Sequence, residues 1–141
     1  MTNLARYNLV SHVLKIFIAG KNNMNNKMLA DFITKSGFET QFVDLDCELS
    51  RSEIQNGLLL IDIGGFSQDL WDVISQCKAT GVSVVLCIPQ GNSSLKKQSF
   101  ESGVLAVLEK PIKTAELMAI IKSVRAQMFM DSLWIMMADA R

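Results

Sequence analysis

The chain has 141 residues, 49% of them hydrophobic and 20% charged, and its 14 basic and 14 acidic side chains leave no net charge at pH 7. This composition predicts one globular domain and excludes a disordered chain. The neutral balance argues against a surface for nucleic acid or acidic substrates. The three cysteines form no C-x-x-C pair, and no segment has the roughly 18 apolar residues of a membrane span. We therefore expect a cytoplasmic protein with reduced thiols.

Four short apolar runs predict strands that are buried on both faces of a parallel sheet. A fifth segment, residues 38–46 (FETQFVDLD), alternates more between polar and apolar residues and predicts an edge strand of the same sheet. The four apolar runs are residues 14–20 (LKIFIAG), 57–63 (GLLLIDI), 82–88 (VSVVLCI) and 104–109 (VLAVLE).

Segments with helical spacing separate these runs. The first helix is predicted around Met24 and ends before Gly37, a residue type suited to the end of a helix. Ser50 and Glu53 have the spacing of a capping box ahead of a short second helix. Further helices are predicted after Ser67, over residues 93–102 and after Thr114.

Five strands alternating with five helices predict a doubly wound α/β domain with right-handed crossovers. Ligands of such sheets bind outside the carboxyl ends of the strands, where the strand order reverses. The side chains at these ends are therefore the candidates for a functional site. They are Gly20 with Lys21, Asp62, Cys87 and Lys110.

Three segments resemble receiver domains, the response-regulator modules of two-component systems. Residues 16–40 (IFIAGKNNMNNKMLADFITKSGFET) are similar to the first strand and helix of that family. Residues 58–63 (LLLIDI) resemble the strand that carries the phosphoacceptor aspartate, and residues 103–112 (GVLAVLEKPI) resemble the last strand with its Lys-Pro pair.

The resemblance implies a flavodoxin-like (CheY-like) three-layer α/β/α fold, with a five-stranded parallel sheet in the order 2-1-3-4-5. It covers roughly residues 14–127. Residues 1–13 would then be an N-terminal extension, and residues 128–141 a C-terminal helical extension.

By this resemblance, Asp62 stands at the phosphoacceptor position and Lys110 at the lysine that contacts the phosphoryl group. Pro111 follows, where the family usually has a cis peptide bond. The resemblance also implies protein partners: a histidine kinase, a phosphotransfer domain or an output domain. We expect no direct binding of nucleic acid or membrane by this domain.

The other family positions are degenerate. Gly20 and Lys21 replace the acidic pair that holds Mg²⁺, Cys87 replaces the switch serine or threonine, and Val107 replaces the switch aromatic residue. Mg²⁺ prefers hard oxygen ligands, whereas glycine offers no side chain and an ammonium repels the ion. We therefore expect no cofactor and weak or absent Mg²⁺ binding.

Lys21 has two interpretations. It could act as an internal cation that pairs with Asp62 from the side opposite Lys110, or it could be an exposed loop lysine. A strand-end aspartate in an apolar run is costly unless it is paired. We predict the ion pair between Lys21 and Asp62.

These substitutions favour a pseudo-receiver, a protein-interaction module in two-component signalling that acts without phosphorylation. One alternative is a working receiver in which a histidine kinase phosphorylates Asp62. A second alternative is a flavodoxin-like domain that binds a small ligand. We predict no enzymatic activity, since the only histidine, His12, lies outside the resemblance and leaves no nucleophile–base pair.

The tail after Gln127 (MFMDSLWIMMADAR) extends beyond the usual end of the family. Its apolar residues cannot all face the domain if the fifth helix continues, and surplus apolar surface suggests a partner. We predict a homodimer through this helix; the alternative is that the tail folds back over the domain. The residues expected at the interface are Phe129, Leu133, Trp134 and Met137.

Overall fold

Five parallel strands form one sheet at the centre of the computed structural model, which describes residues 13–139. Numbered along the chain, the strands lie in the order 2-1-3-4-5, and every neighbouring pair is parallel. The predicted fold and strand order are therefore confirmed. The strands are β1 (Lys15–Gly20), β2 (Glu39–Phe42), β3 (Gly57–Asp62), β4 (Ser83–Ile88) and β5 (Ala106–Glu109).

The apolar runs form these strands because the sheet is covered on both faces. All six residues of the central strand β3 are buried. Successive side chains point to opposite faces, so Leu58 and Leu60 enter one core layer while Leu59 and Ile61 enter the other. The more polar β2 pairs only with β1 and lies at the edge of the sheet, as its alternating sequence predicts.

Residues 13–139 form five helices, and four of them pack on the two faces of the sheet. The first and last helices share one core layer with the sheet, and the third helix packs on the opposite face with support from the fourth. The helices are α1 (Asn23–Lys35), α2 (Glu48–Arg51), α3 (Leu70–Ala79), α4 (Ser93–Glu101) and α5 (Thr114–Asp139).

The second helix differs from its prediction. It begins at Glu48, so Ser50 lies inside it and does not cap it. The Ser50 hydroxyl instead accepts a hydrogen bond of 2.8 Å from the backbone N–H of Asp44. Serine hydroxyls bond to nearby backbone in several local motifs, and the capping-box spacing alone does not separate them.

The last helix, α5, continues without a break through Asp139, so residues 128–139 of the predicted tail are helical. No described helix is long and apolar enough to cross a membrane. The proposed N-terminal extension, with His12, lies almost wholly in residues 1–12, outside the described part of the chain.

Candidate functional site

The carboxyl edge of the sheet brings together the residues that the sequence placed there. Gly20 is in register with Asp62, and Asp62 is in register with Cys87 on the other side. Lys110 follows β5, and its backbone N–H donates a 2.9 Å hydrogen bond to the carbonyl of Ile88 at the end of β4. Gly20, Cys87 and Lys110 therefore lie around the Asp62 carboxylate.

Asp62 and Lys110 form the central ion pair. The Lys110 Nζ lies 2.7 Å from Asp62 Oδ1, and the aspartate side chain is only 5% exposed. This contact is an ion pair without an aligned hydrogen bond, because Asp62 Oδ1 accepts no hydrogen bond from any described residue. The peptide bond between Lys110 and Pro111 is cis. A buried carboxylate of this kind depends on a cation beside it.

Lys21 does not pair with Asp62, so this prediction is wrong. Its Nζ forms an ion pair with Asp46 in the loop after β2 and lies 4.8 Å from the centroid of the Phe66 ring. A Cβ added to Gly65 would lie 3.2 Å from the Cβ and Cγ of Lys21. Gly65 and Phe66 thus contact the Lys21 side chain, and its ammonium pairs with the surface carboxylate of Asp46.

Two asparagines that were not predicted as site residues lie near Asp62. The Asn25 Nδ2 donates a long hydrogen bond of 3.4 Å to Asp62 Oδ2. The Asn26 side chain is buried, and its Nδ2 donates a 2.9 Å hydrogen bond to the Gly20 carbonyl. The one available signal was the polar loop before α1, where Asn22 accepts a hydrogen bond from the Asn25 N–H and caps the helix.

The two switch positions are occupied by side chains packed in the core. Cys87 is fully buried, and Val107 is partly buried against the core layer that contains α3. Burial is the main cause that raises the pKa of the Cys87 thiol to about 12; the Asp62 carboxylate also raises it, whereas Lys110 lowers it. The thiol is therefore protonated at neutral pH.

The donor set at this edge does not match the requirements of Mg²⁺. The ion is usually held by carboxylate oxygens together with several waters. Asp62 is the one carboxylate of the cluster and is engaged with Lys110. Gly20 has no side chain, and residue 21 is a lysine, whose ammonium pairs with Asp46 and offers no oxygen ligand. No described residues form a group of three or more His, Cys, Asp or Glu that could hold a metal ion.

No protein-family model and no curated protein matches the chain. Solved structures match it with TM-scores near 0.7. A protein described as related to pilus assembly, from Burkholderia pseudomallei, has a TM-score of 0.70 at 17% identity, over 83% of this chain and 92% of that one. A CheY-like response regulator receiver domain protein from Methanospirillum hungatei has a TM-score of 0.68 at 16% identity, over 84% and 98%.

An adenylate cyclase from Rhodopirellula baltica has a TM-score of 0.68 at 12% identity, over 92% of this chain and 99% of that one. The fold of this chain is therefore that of response regulator receiver (CheY-like) domains. At sequence identities of 12–17% the similarity shows the fold alone, and the three proteins are described by names that imply different functions. The function of this chain depends on the residues of its own site.

The predicted interface residues lie on the part of α5 beyond Gln127. Trp134 is 67% exposed and Met137 62% exposed. Phe129 is also exposed, while Leu133 is half-buried. Because Trp134 and Met137 are separated by three positions, they share one face of the helix.

We predict that Lys110→Ala lowers the free energy of unfolding by about 1–3 kcal/mol, because it leaves the buried Asp62 carboxylate without its partner while Lys110 itself is 35% exposed. Lys21→Ala is the matched control, since its ion pair with Asp46 is half-exposed and such pairs contribute less than about 1 kcal/mol. Urea unfolding at pH 7 measures both values. Equal losses for the two variants would contradict the central role of Lys110.

We also predict that the buried Cys87 thiol makes stability depend on alkaline pH. Its pKa is about 12 in the folded protein and close to the ordinary value of 9.0 when unfolded. Between these values the unfolded chain binds fewer protons, so the free energy of unfolding falls as pH rises above about 9. Urea unfolding at pH 8 to 10 should show this decrease in the native chain and a smaller one in Cys87→Ala. Parallel curves for the two proteins would count against it.

Proposed function

We propose that this chain is a protein-interaction module of two-component signalling that has the receiver fold and works without phosphorylation of Asp62. The observation that carries the proposal is the charge arrangement around that aspartate. Phosphoryl transfer to a carboxylate brings negative groups together, and a metal ion supplies much of the neutralisation. Here Lys21 replaces one of the carboxylates that would hold a metal ion, and its ammonium pairs with Asp46 and leaves the Asp62 site without that neutralisation.

The degenerate switch positions support the same proposal. A receiver that signals through phosphorylation needs a hydroxyl and a mobile aromatic side chain to report the new phosphoryl group. Cys87 is buried with a protonated thiol, and a thiol is a weak hydrogen-bond donor. Val107 is small and packed against the core. We infer that this protein has one signalling conformation.

The proposed partners are proteins: a histidine kinase, a phosphotransfer domain or an output domain in the cytoplasm. We assign the contact to the surface formed by α4, β5 and α5. Phe100 of α4 is 57% exposed and Leu105, just before β5, is 52% exposed. Apolar side chains of this size are suited to a protein interface. We propose no enzymatic activity for the module.

A working phosphoacceptor is the alternative, and one observation favours it. Asp62 and Lys110 are both present at the carboxyl edge and are in contact. A lysine in that position could contact a phosphoryl group that is bound to the aspartate. The two hypotheses differ in whether Asp62 gains that group when a donor and Mg²⁺ are supplied.

We predict no gain of phosphoryl mass when the full chain is incubated with a small phosphodonor and millimolar Mg²⁺. Intact-protein mass spectrometry measures the modification, and a phosphorylatable receiver domain in the same tube shows that the donor is active. A Mg²⁺ titration followed by amide shifts near Asp62 should show no saturable binding below about millimolar concentration. A phosphoryl adduct that disappears in Asp62→Asn would establish the alternative.

We further propose that the chain forms a homodimer through the distal half of α5. Exposed Trp134 and Met137 lie on one face, and a symmetric pair is the commonest way to cover such a surface. Burying a large apolar side chain contributes about 1.5–3 kcal/mol. Several such side chains on each copy would hold two helices together.

We predict that Trp134→Glu shifts the full chain from dimer to monomer in sedimentation experiments, because it places a charge at the centre of the apolar face. Phe42→Glu is the matched control: Phe42 is 57% exposed on the edge strand β2, away from α5. The control should remain dimeric. A native chain that stays monomeric at high micromolar concentration would rule out self-association.

A further inference from the structure

Gly20 is a glycine because of what lies beside it. A Cβ built at this position would be 2.5 Å from Asn26 Oδ1 and 3.2 Å from the Asp62 Cβ. The backbone φ angle of Gly20 is not positive, so the backbone conformation at this position does not require glycine. The constraint is space, and the Asn26 carboxamide is what occupies that space.

Asn26 is fixed in this position. It lies in the first turns of α1, where its backbone N–H donates a 3.1 Å hydrogen bond to the Asn22 carbonyl. Its side chain is 8% exposed and donates through Nδ2 to the Gly20 carbonyl. Its Oδ1 is buried and accepts no hydrogen bond from the described residues. An unsatisfied buried acceptor is costly, so the packing around this carboxamide must compensate for it.

We infer that Asn26 closes the metal site sterically, in addition to the loss of carboxylates at positions 20 and 21. The inference rests on the proposed function and adds a third residue to it. The Cβ of an acidic side chain at position 20 would lie 2.5 Å from Asn26 Oδ1, which is closer than the two atoms can approach. The carboxylate oxygens of that side chain would also approach Asn26 Oδ1. Restoring both carboxylates therefore leaves the site closed until Asn26 is shortened.

The first experiment uses the full chain with Gly20→Asp and Lys21→Asp together, with and without Asn26→Ala. Mg²⁺ is titrated by calorimetry and by amide shifts near Asp62. We expect the triple variant to bind Mg²⁺ at least about tenfold more tightly than the double variant. Affinities within about twofold of each other, or no binding by the triple variant, would overturn the inference.

A second experiment is independent of metal and of added charge. Asn26→Ala should lower the melting temperature of the native chain, because it removes the bond to the Gly20 carbonyl and leaves a cavity. In the Gly20→Ala background it should raise the melting temperature, because it removes the collision. Asn25→Ala, one position earlier, is the matched control and should have the same effect in both backgrounds.

The steric inference is wrong if Asn26→Ala lowers the melting temperature equally in both backgrounds. This outcome is separate from a failure of the proposed function, which would appear as saturable Mg²⁺ binding or phosphorylation of the native chain. The sign reversal in the neutral variants would support it whatever the signalling role.

Discussion

The ion pair between Asp62 and Lys110 is the interaction on which the arrangement of the carboxyl edge depends. Asp62 ends the most buried strand of the sheet, and a carboxylate there loses most of its contact with water. The free energy of that desolvation has to be offset by a nearby cation. Lys110 supplies the cation from the end of β5, so the pair joins the ends of two strands separated by β4 and its buried Cys87.

The remaining positions adapt to this pair. With one lysine already beside Asp62, a second ammonium gains little by approaching it and meets repulsion from the first. Lys21 instead lies over the Phe66 ring and against Asp46, where water screens the charges. The side facing Gly20 is filled by an amide, which carries no charge. The edge is therefore nearly neutral, with each cation matched to one carboxylate.

Much of the fold could be predicted from the sequence because strands buried on both faces are almost wholly apolar, as in GLLLID of β3, where Asp62 at the end of the strand is the exception. The residues at strand ends followed from the topology. The direction of Lys21 did not, because a long flexible side chain reaches several carboxylates and only the folded loops decide between Asp46 and Asp62. Asn26 was missed because an asparagine near a helix N-terminus is typical of a cap, whereas this one is buried beside the sheet.

The length of α5 has a geometric consequence. Its 26 residues span about 39 Å, roughly twice the length of a six-residue strand. The helix begins beside Lys110 at the carboxyl edge, and its distal residues Asp131 and Ile135 line a groove with Gly57 and Ser83, the first residues of β3 and β4. A protein held by the far end of α5 would therefore sit at the opposite pole of the domain from Asp62.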